Sequence, residues 1–98
     1  MIGTIFKHHS QTHGYHNWIV LKDVSSSKYC ICAIISSKKS THSLKIGPKD
    51  CSFLKKDSYI QIDNLLSIDK DIIEKKEKEL VCSSLLNKIK ITFNKFFT

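Results

Sequence analysis

Four histidines, His8, His9, His13 and His16, fall within nine residues near the start of the chain. An imidazole titrates near neutrality, so it can take a proton at one step of a reaction and give one back at another. Each also reads as an ordinary histidine in a loop or at a strand start. Three ring nitrogens could hold zinc, but the spacing matches no metal signature and no carboxylate lies close by. No metal and no cofactor is expected. A second polar group follows later, Ser36-Ser37-Lys38-Lys39. Its hydroxyls and ammonium groups suit phosphate oxygens, and suit a solvated turn equally well. Tyr15, Trp18 and Tyr59 could stack on nucleobases. Trp18 sits inside an apolar run, which favours burial, so loop-adjacent Tyr15 is the better stacking candidate.

The charge balance points the same way. The chain carries +7 at neutral pH, and lysine supplies all of its basic residues. A small basic domain implies an anionic partner, either nucleic acid or an acidic protein. The competing explanation is a lysine-rich surface inherited from an AT-rich genome, with no anionic partner implied. The length of 98 residues fits a single domain spanning 1–98, and 41% hydrophobic residues with one proline is a globular composition. No apolar run reaches the roughly 18–20 residues of a membrane span. The opening MIGTIFKHH lacks the pattern of a signal peptide, so the expected location is the cytoplasm. Cys30, Cys32, Cys51 and Cys82 form no CxxC pair, and neighbours on one strand rarely have disulfide geometry. All four read as reduced thiols packed as small apolar residues.

The elements that must position these residues read mostly as strands. Ile2 to Phe6 is a short apolar opening, and Lys7 to Tyr15 reads as a polar loop containing Gly14. His16 to Leu21 and Tyr29 to Ser36 are near-continuous apolar runs, as central strands have. Residues 37–41 form a loop, and Ser43 to Ile46 a brief strand ended by Gly47-Pro48. Ser58 to Asp63 alternates, with Ser58, Ile60 and Ile62 on one face and Tyr59, Gln61 and Asp63 on the other. Asn64 to Lys70 then favours a turn and a helix cap, and Asp69 to Glu79 reads as a charged, solvent-facing stretch. Leu85, Leu86, Ile89, Phe93, Phe96 and Phe97 lie along one stripe of a helix over about Ser83–Phe97, with Ser83 or Ser84 as its cap. Short strands in series with one terminal helix predict an α+β or mainly β fold, a compact antiparallel sheet with the helix packed on it.

Within this pattern one segment is distinctive. KKDSYIQIDNLLSIDKDII resembles the "DSxVxxxQIRTIDKxRL" strand and turn of the MazF/PemK family of toxin endoribonucleases, related in fold to CcdB and Kid. Gly3-Thr4-Ile5-Phe6 is similar to the family's "RGDIY", His16 to Leu21 to "RPVLVI", Cys32 to Ser37 to "VAPITS", and Leu44 to Ser58 to the segment through "GLxxDS". The family's usual catalytic arginine falls at His16, and the acidic residue of "RGD" falls at Thr4. The loop between the first two strands is shorter than the family's. The sequence contains no arginine at all.

The resemblance implies a small antiparallel SH3-like β-barrel with a C-terminal helix. It implies the toxin of a type II toxin–antitoxin system, a homodimer that cuts single-stranded mRNA at short sequences without a metal. The 2′-hydroxyl attacks the adjacent phosphate and leaves a 2′,3′-cyclic phosphate and a 5′-hydroxyl. That chemistry needs a base, an acid and hydrogen-bond donors for the crowded phosphorane. The candidates are His16 as base or acid, His13 (or His9) as the second group, and Ser36 as a donor to the scissile phosphate. Tyr15, Ser37, Lys38, Lys39, Tyr59 and Asn64 are the expected RNA contacts. A cognate antitoxin with an acidic, partly disordered tail is the implied protein partner. Two alternatives stand beside this. A catalytically degenerate member could bind RNA or a partner without cutting. A CcdB-like gyrase poison would need a Trp-Gly-Ile end, whereas this chain ends Lys95-Phe96-Phe97-Thr98.

Overall fold

The computed structural model describes residues 1–97, with side chains as far as Lys95. The elements run β1 (Thr4–Ser10), β2 (Gly14–Asp23), β3 (Tyr29–Ser36), β4 (Ser43–Ile46), β5 (Ser58–Asp69), α1 (Lys70–Glu74), β6 (Lys78–Leu80) and α2 (Ser83–Phe97). The strands form one antiparallel sheet in the spatial order β4-β5-β3-β2-β1-β6, curled into a half-barrel with α2 packed on it. This is the expected antiparallel sheet with a C-terminal helix.

Because β2 and β3 are central, both of their faces are buried, which is why they read as continuous apolar runs. On one face Ile19, Leu21, Ala33, Ile35, Ile60 and Ile62 meet Leu85, Ile89 and Phe93 of α2. Those helical positions recur every four residues, so one stripe of α2 is buried while Ile91 stays exposed. Phe96, Phe97 and Thr98 of the expected stripe and C-terminus lie outside the described side chains. The carbonyl of Cys82 accepts the first helical bond, from the Leu86 amide (3.0 Å), so Cys82 stands where a serine cap was expected. On the other face Phe6, Trp18, Val20, Cys32, Ile34 and Ile68 form a second core, closed by Ile73 of α1. Asp69 caps α1 by accepting from the Asp71 amide at 2.8 Å.

Several segments differ from expectation. The stretch 7–15 is not a loop: β1 runs to Ser10 and pairs with β2 across a tight hairpin, His8 opposite His16 and His9 opposite Tyr15. Its polar residues mask a strand because pairing with β2, and not apolar burial, holds it. The chain re-enters the sheet through Gly14 at φ +73, a left-handed conformation. Gly14→Ala should therefore cost about 1–2 kcal/mol, although a Cβ there meets open space. Gly14→Asn should cost less, because asparagine tolerates this region. Urea unfolding of the two variants checks the order.

Nor does the chain leave the sheet after Asp63. Strand β5 continues to Asp69 through a bulge: Ala33 pairs with Leu65 and the next residue, Ile34, with Gln61. The Ile62 amide turns to the His42 carbonyl (2.9 Å), and Ser40 Oγ donates to Asp63 (2.6 Å), so the bend is held from outside the ladder. The charged stretch 69–79 is not wholly solvated either, since Ile73 is fully buried and Lys78–Leu80 pair with β1 as an edge strand. All four cysteines are free thiols, but Cys82 is exposed where a packed apolar role was expected.

Candidate active site and nucleic-acid interface

Residues directly opposite one another on antiparallel strands project from the same face, with Cβ atoms about 4.5–5.5 Å apart. Lys45 lies opposite Tyr59, and Tyr59 opposite Ser36. One step beyond the last β2–β3 pair, Asn17–Ile35, Ser36 falls at the register position facing His16. His16 in turn lies opposite His8. The register thus draws Lys45, Tyr59, Ser36, His16 and His8 into one row across five strands. The row crosses the face that carries Trp18 and Ile34, at the end of the sheet away from α1. His8, His16, Ser36 and Tyr59 are half-buried there.

The hairpin adds to this face. The His13 amide donates to Ser10 Oγ (2.9 Å), and the His13 ring stands edge-on to Trp18 at 5.9 Å. His8 stands edge-on to the same indole at 6.3 Å. Two histidines therefore lean on Trp18, itself fully buried, and His16 lies two residues before it on the same face of β2. Among the described residues, no group of three or more His, Cys, Asp and Glu side chains is placed to hold a metal ion.

Burial, then the Lys76 ammonium, then neighbouring His9 hold the His8 imidazole below its ordinary pKa. Folding thus lowers this pKa relative to the unfolded value near 6.5. The corresponding stability is complete above the unfolded value and is lost as pH falls below it. The melting temperature should drop between about pH 7.5 and about pH 5.5, and His8→Gln should shrink that drop. Equal drops in both proteins would remove His8 as the cause.

The expected phosphate contacts occupy the end of β3. Ser36 Oγ accepts from the Lys38 amide (3.2 Å), which orients the hydroxyl and keeps its proton for donation. Ser37, Lys38 and Lys39 are exposed. Gln61, buried and on the face of the row, donates to the Lys38 carbonyl at 2.8 Å. Asn64 donates to Gln61 at 2.5 Å. Asn64 thus supports the lysine loop through Gln61. Lys45, at the end of the row, lies 3.5 Å from the exposed Asp57 carboxylate. Tyr15 is not in the row: alternation along β2 sends it to the opposite face, its ring 6.4 Å from His9.

Together the row offers imidazoles for proton transfer, hydroxyls for a phosphate oxygen and ammonium groups on its flanks. Lys45 and Gln61 were not singled out from sequence, and His8 was named only as a member of the histidine cluster, without a role of its own. The alternation of Tyr59 with Gln61 was a usable signal for Gln61, but the place of His8 depends on a hairpin that polar residues concealed.

The fold defines a class: a small curled antiparallel half-barrel closed by a C-terminal helix. A solved structure of that class is an endoribonuclease in complex with its cognate antitoxin, from Mycobacterial species, with a TM-score of 0.73 over 99% of this chain and 93% of that chain. The two are 15% identical, so the likeness is one of fold. No family model matches the sequence, and no curated protein matches it.

Proposed function

We propose that this chain is a MazF/PemK-like toxin of a toxin–antitoxin pair, a metal-independent endoribonuclease acting on single-stranded mRNA. The observation that carries the reading is the row itself: continuing the β2–β3 register one step past Asn17–Ile35 sets His16 across from Ser36, both candidates by position in the sequence, on a fold shared with an endoribonuclease. In this reading one imidazole of the His8, His13 and His16 group takes the 2′-hydroxyl proton. The 2′-oxygen attacks phosphorus and the P–O5′ bond breaks. A second imidazole, protonated, delivers its proton to O5′. Ser36 and Tyr59 donate to the phosphorane oxygens, with Lys38, Lys39 and Lys45 around them supplying positive charge. Expected partners are a second copy of the chain and an antitoxin with an acidic tail, in the cytoplasm.

The test is incubation of the purified protein with a long defined RNA in EDTA, with the new ends mapped. Discrete cuts ending in cyclic phosphate support the reading. Absence of arginine favours one competing reading, a member that binds RNA without cutting. RNA binding with no cleavage in any buffer would establish it. Cleavage only after metal is restored would overturn the imidazole mechanism.

A further inference from the structure

A cleft of roughly 380 Å³ opens on the face opposite the row. Three separate segments wall it: the β1–β2 hairpin with Lys7 and Tyr15, the loop after β4 with Phe53 and Lys55, and the loop before β6 with Lys76 and Glu77. The walls are tied together. Glu79 of β6 accepts from the Ser52 amide (2.8 Å) and from the Ser52 hydroxyl, fixing the 51–55 loop against the sheet edge. Tyr15 is 66% exposed, a large aromatic ring held out in water. Phe53 packs on the first core and supplies an apolar wall. The cleft lining carries three lysines and one carboxylate, Glu77, which has no ion pair among the described residues. An exposed ring surrounded by ammonium groups suits a base with its flanking phosphates.

The cleft also communicates with the row. Strand β6 pairs with β1 only over Thr4–Phe6, leaving the end of β1 as a free edge of the sheet. Lys76 lines the cleft, and its charge acts on His8 across that edge. The unpaired end of β1 is thus the part of the sheet that separates the cleft from the imidazoles.

We propose that this cleft binds one nucleotide of a single-stranded RNA, its base on Tyr15 and its adjoining phosphates on Lys7, Lys55 and Lys76. The inference rests on the RNA reading above and extends it to the second face of the hairpin. An acidic peptide is the competing occupant. The base-sized ring at the mouth favours RNA, since a run of carboxylates makes no use of it.

The test separates binding from cutting by using a 12-nucleotide 2′-O-methyl RNA, which lacks the attacking hydroxyl. Tyr15→Ala should weaken its binding by about tenfold or more, and Tyr15→Trp should restore it. Lys7→Gln, Lys55→Gln and Lys76→Gln combined should reduce the slope of log K against log salt by about 2. Should the triple variant fail to fold, exposed Lys55→Gln by itself should reduce it by about 0.7. Unchanged affinity and slope in folded variants would overturn the proposal, even if the wild type cuts RNA. It would also fall if the variants lose binding of an oligoglutamate peptide and keep the RNA. Variant-sensitive binding by a wild type that cuts no RNA would leave the cleft standing and remove the catalytic reading.

Discussion

Replacing His16 by alanine is expected to lower RNA cleavage by about 100- to 10,000-fold while the unfolding midpoint stays within a degree or two. His16 is half-buried at the sheet end, opposite His8 on β1 and at the register position facing Ser36 on β3, so in the proposed reading it lies between a second imidazole and a hydroxyl. It contributes little to either core, which is why activity and stability should separate. Ser36→Ala removes one donor and should cost about 100- to 1,000-fold. The pH profile sharpens the test: loss of a proton-transfer group should flatten one limb of the cleavage profile, whereas loss of a mere contact should scale the whole curve down. Undiminished cleavage by folded His16→Ala would move the chemistry elsewhere on the sheet.

Trp18→Ala should destabilise the protein by about 3–5 kcal/mol, the largest effect expected from a single truncation here. The indole is fully buried in the second core, and the rings of His8 and His13 lean on it edge-on. Truncation opens a void beneath both histidines, so cleavage should fall together with stability. Trp18 Nε1 is buried without a hydrogen-bond partner among the described residues. Trp18→Phe therefore sacrifices no hydrogen bond and should recover most of the lost stability. Chemical denaturation of the two variants decides. Equal losses would mean that a phenyl ring does not fill the space the indole occupies, so that aromatic burial alone does not hold the site together.

Both expectations depend on features that were unequally legible in the sequence. The runs Trp18–Leu21 and Cys30–Ile35 announce buried strands because apolar continuity is a local signal. So does the Leu85, Ile89, Phe93 stripe of α2. The extension of β1 past Phe6 was hidden because Lys7, His8 and His9 owe their strand conformation to partners on β2. Strand β6, Lys-Glu-Leu, carries no strand pattern and exists by pairing with β1. Asn64 to Asp69 has turn-forming composition, yet the bulge at 62–64 keeps it in the sheet. The candidate site shows the same division. His16, Ser36 and Tyr59 could each be named from residue type and position, but their alignment is a property of register across β2, β3 and β5. The separation of Tyr15 from them follows from one step of strand alternation, which mattered only once that residue proved to lie within a strand.

The four thiols carry a practical consequence. Cys82 is exposed beside Asp50 and Ser84 at the start of α2, whereas Cys30, Cys32 and Cys51 are buried. Burial pushes the Cys51 thiol up to about 11 and raises Cys32 further, so neither offers thiolate in the closed fold. A maleimide dye would accordingly label one position and leave the sheet untouched, giving a fluorescent reporter next to the helix without mutagenesis. Under longer exposure to reagent, Cys32 in the second core and Cys51 in the first become clocks for different events. The order in which they are modified would report whether the α2 side or the α1 side of the sheet opens first.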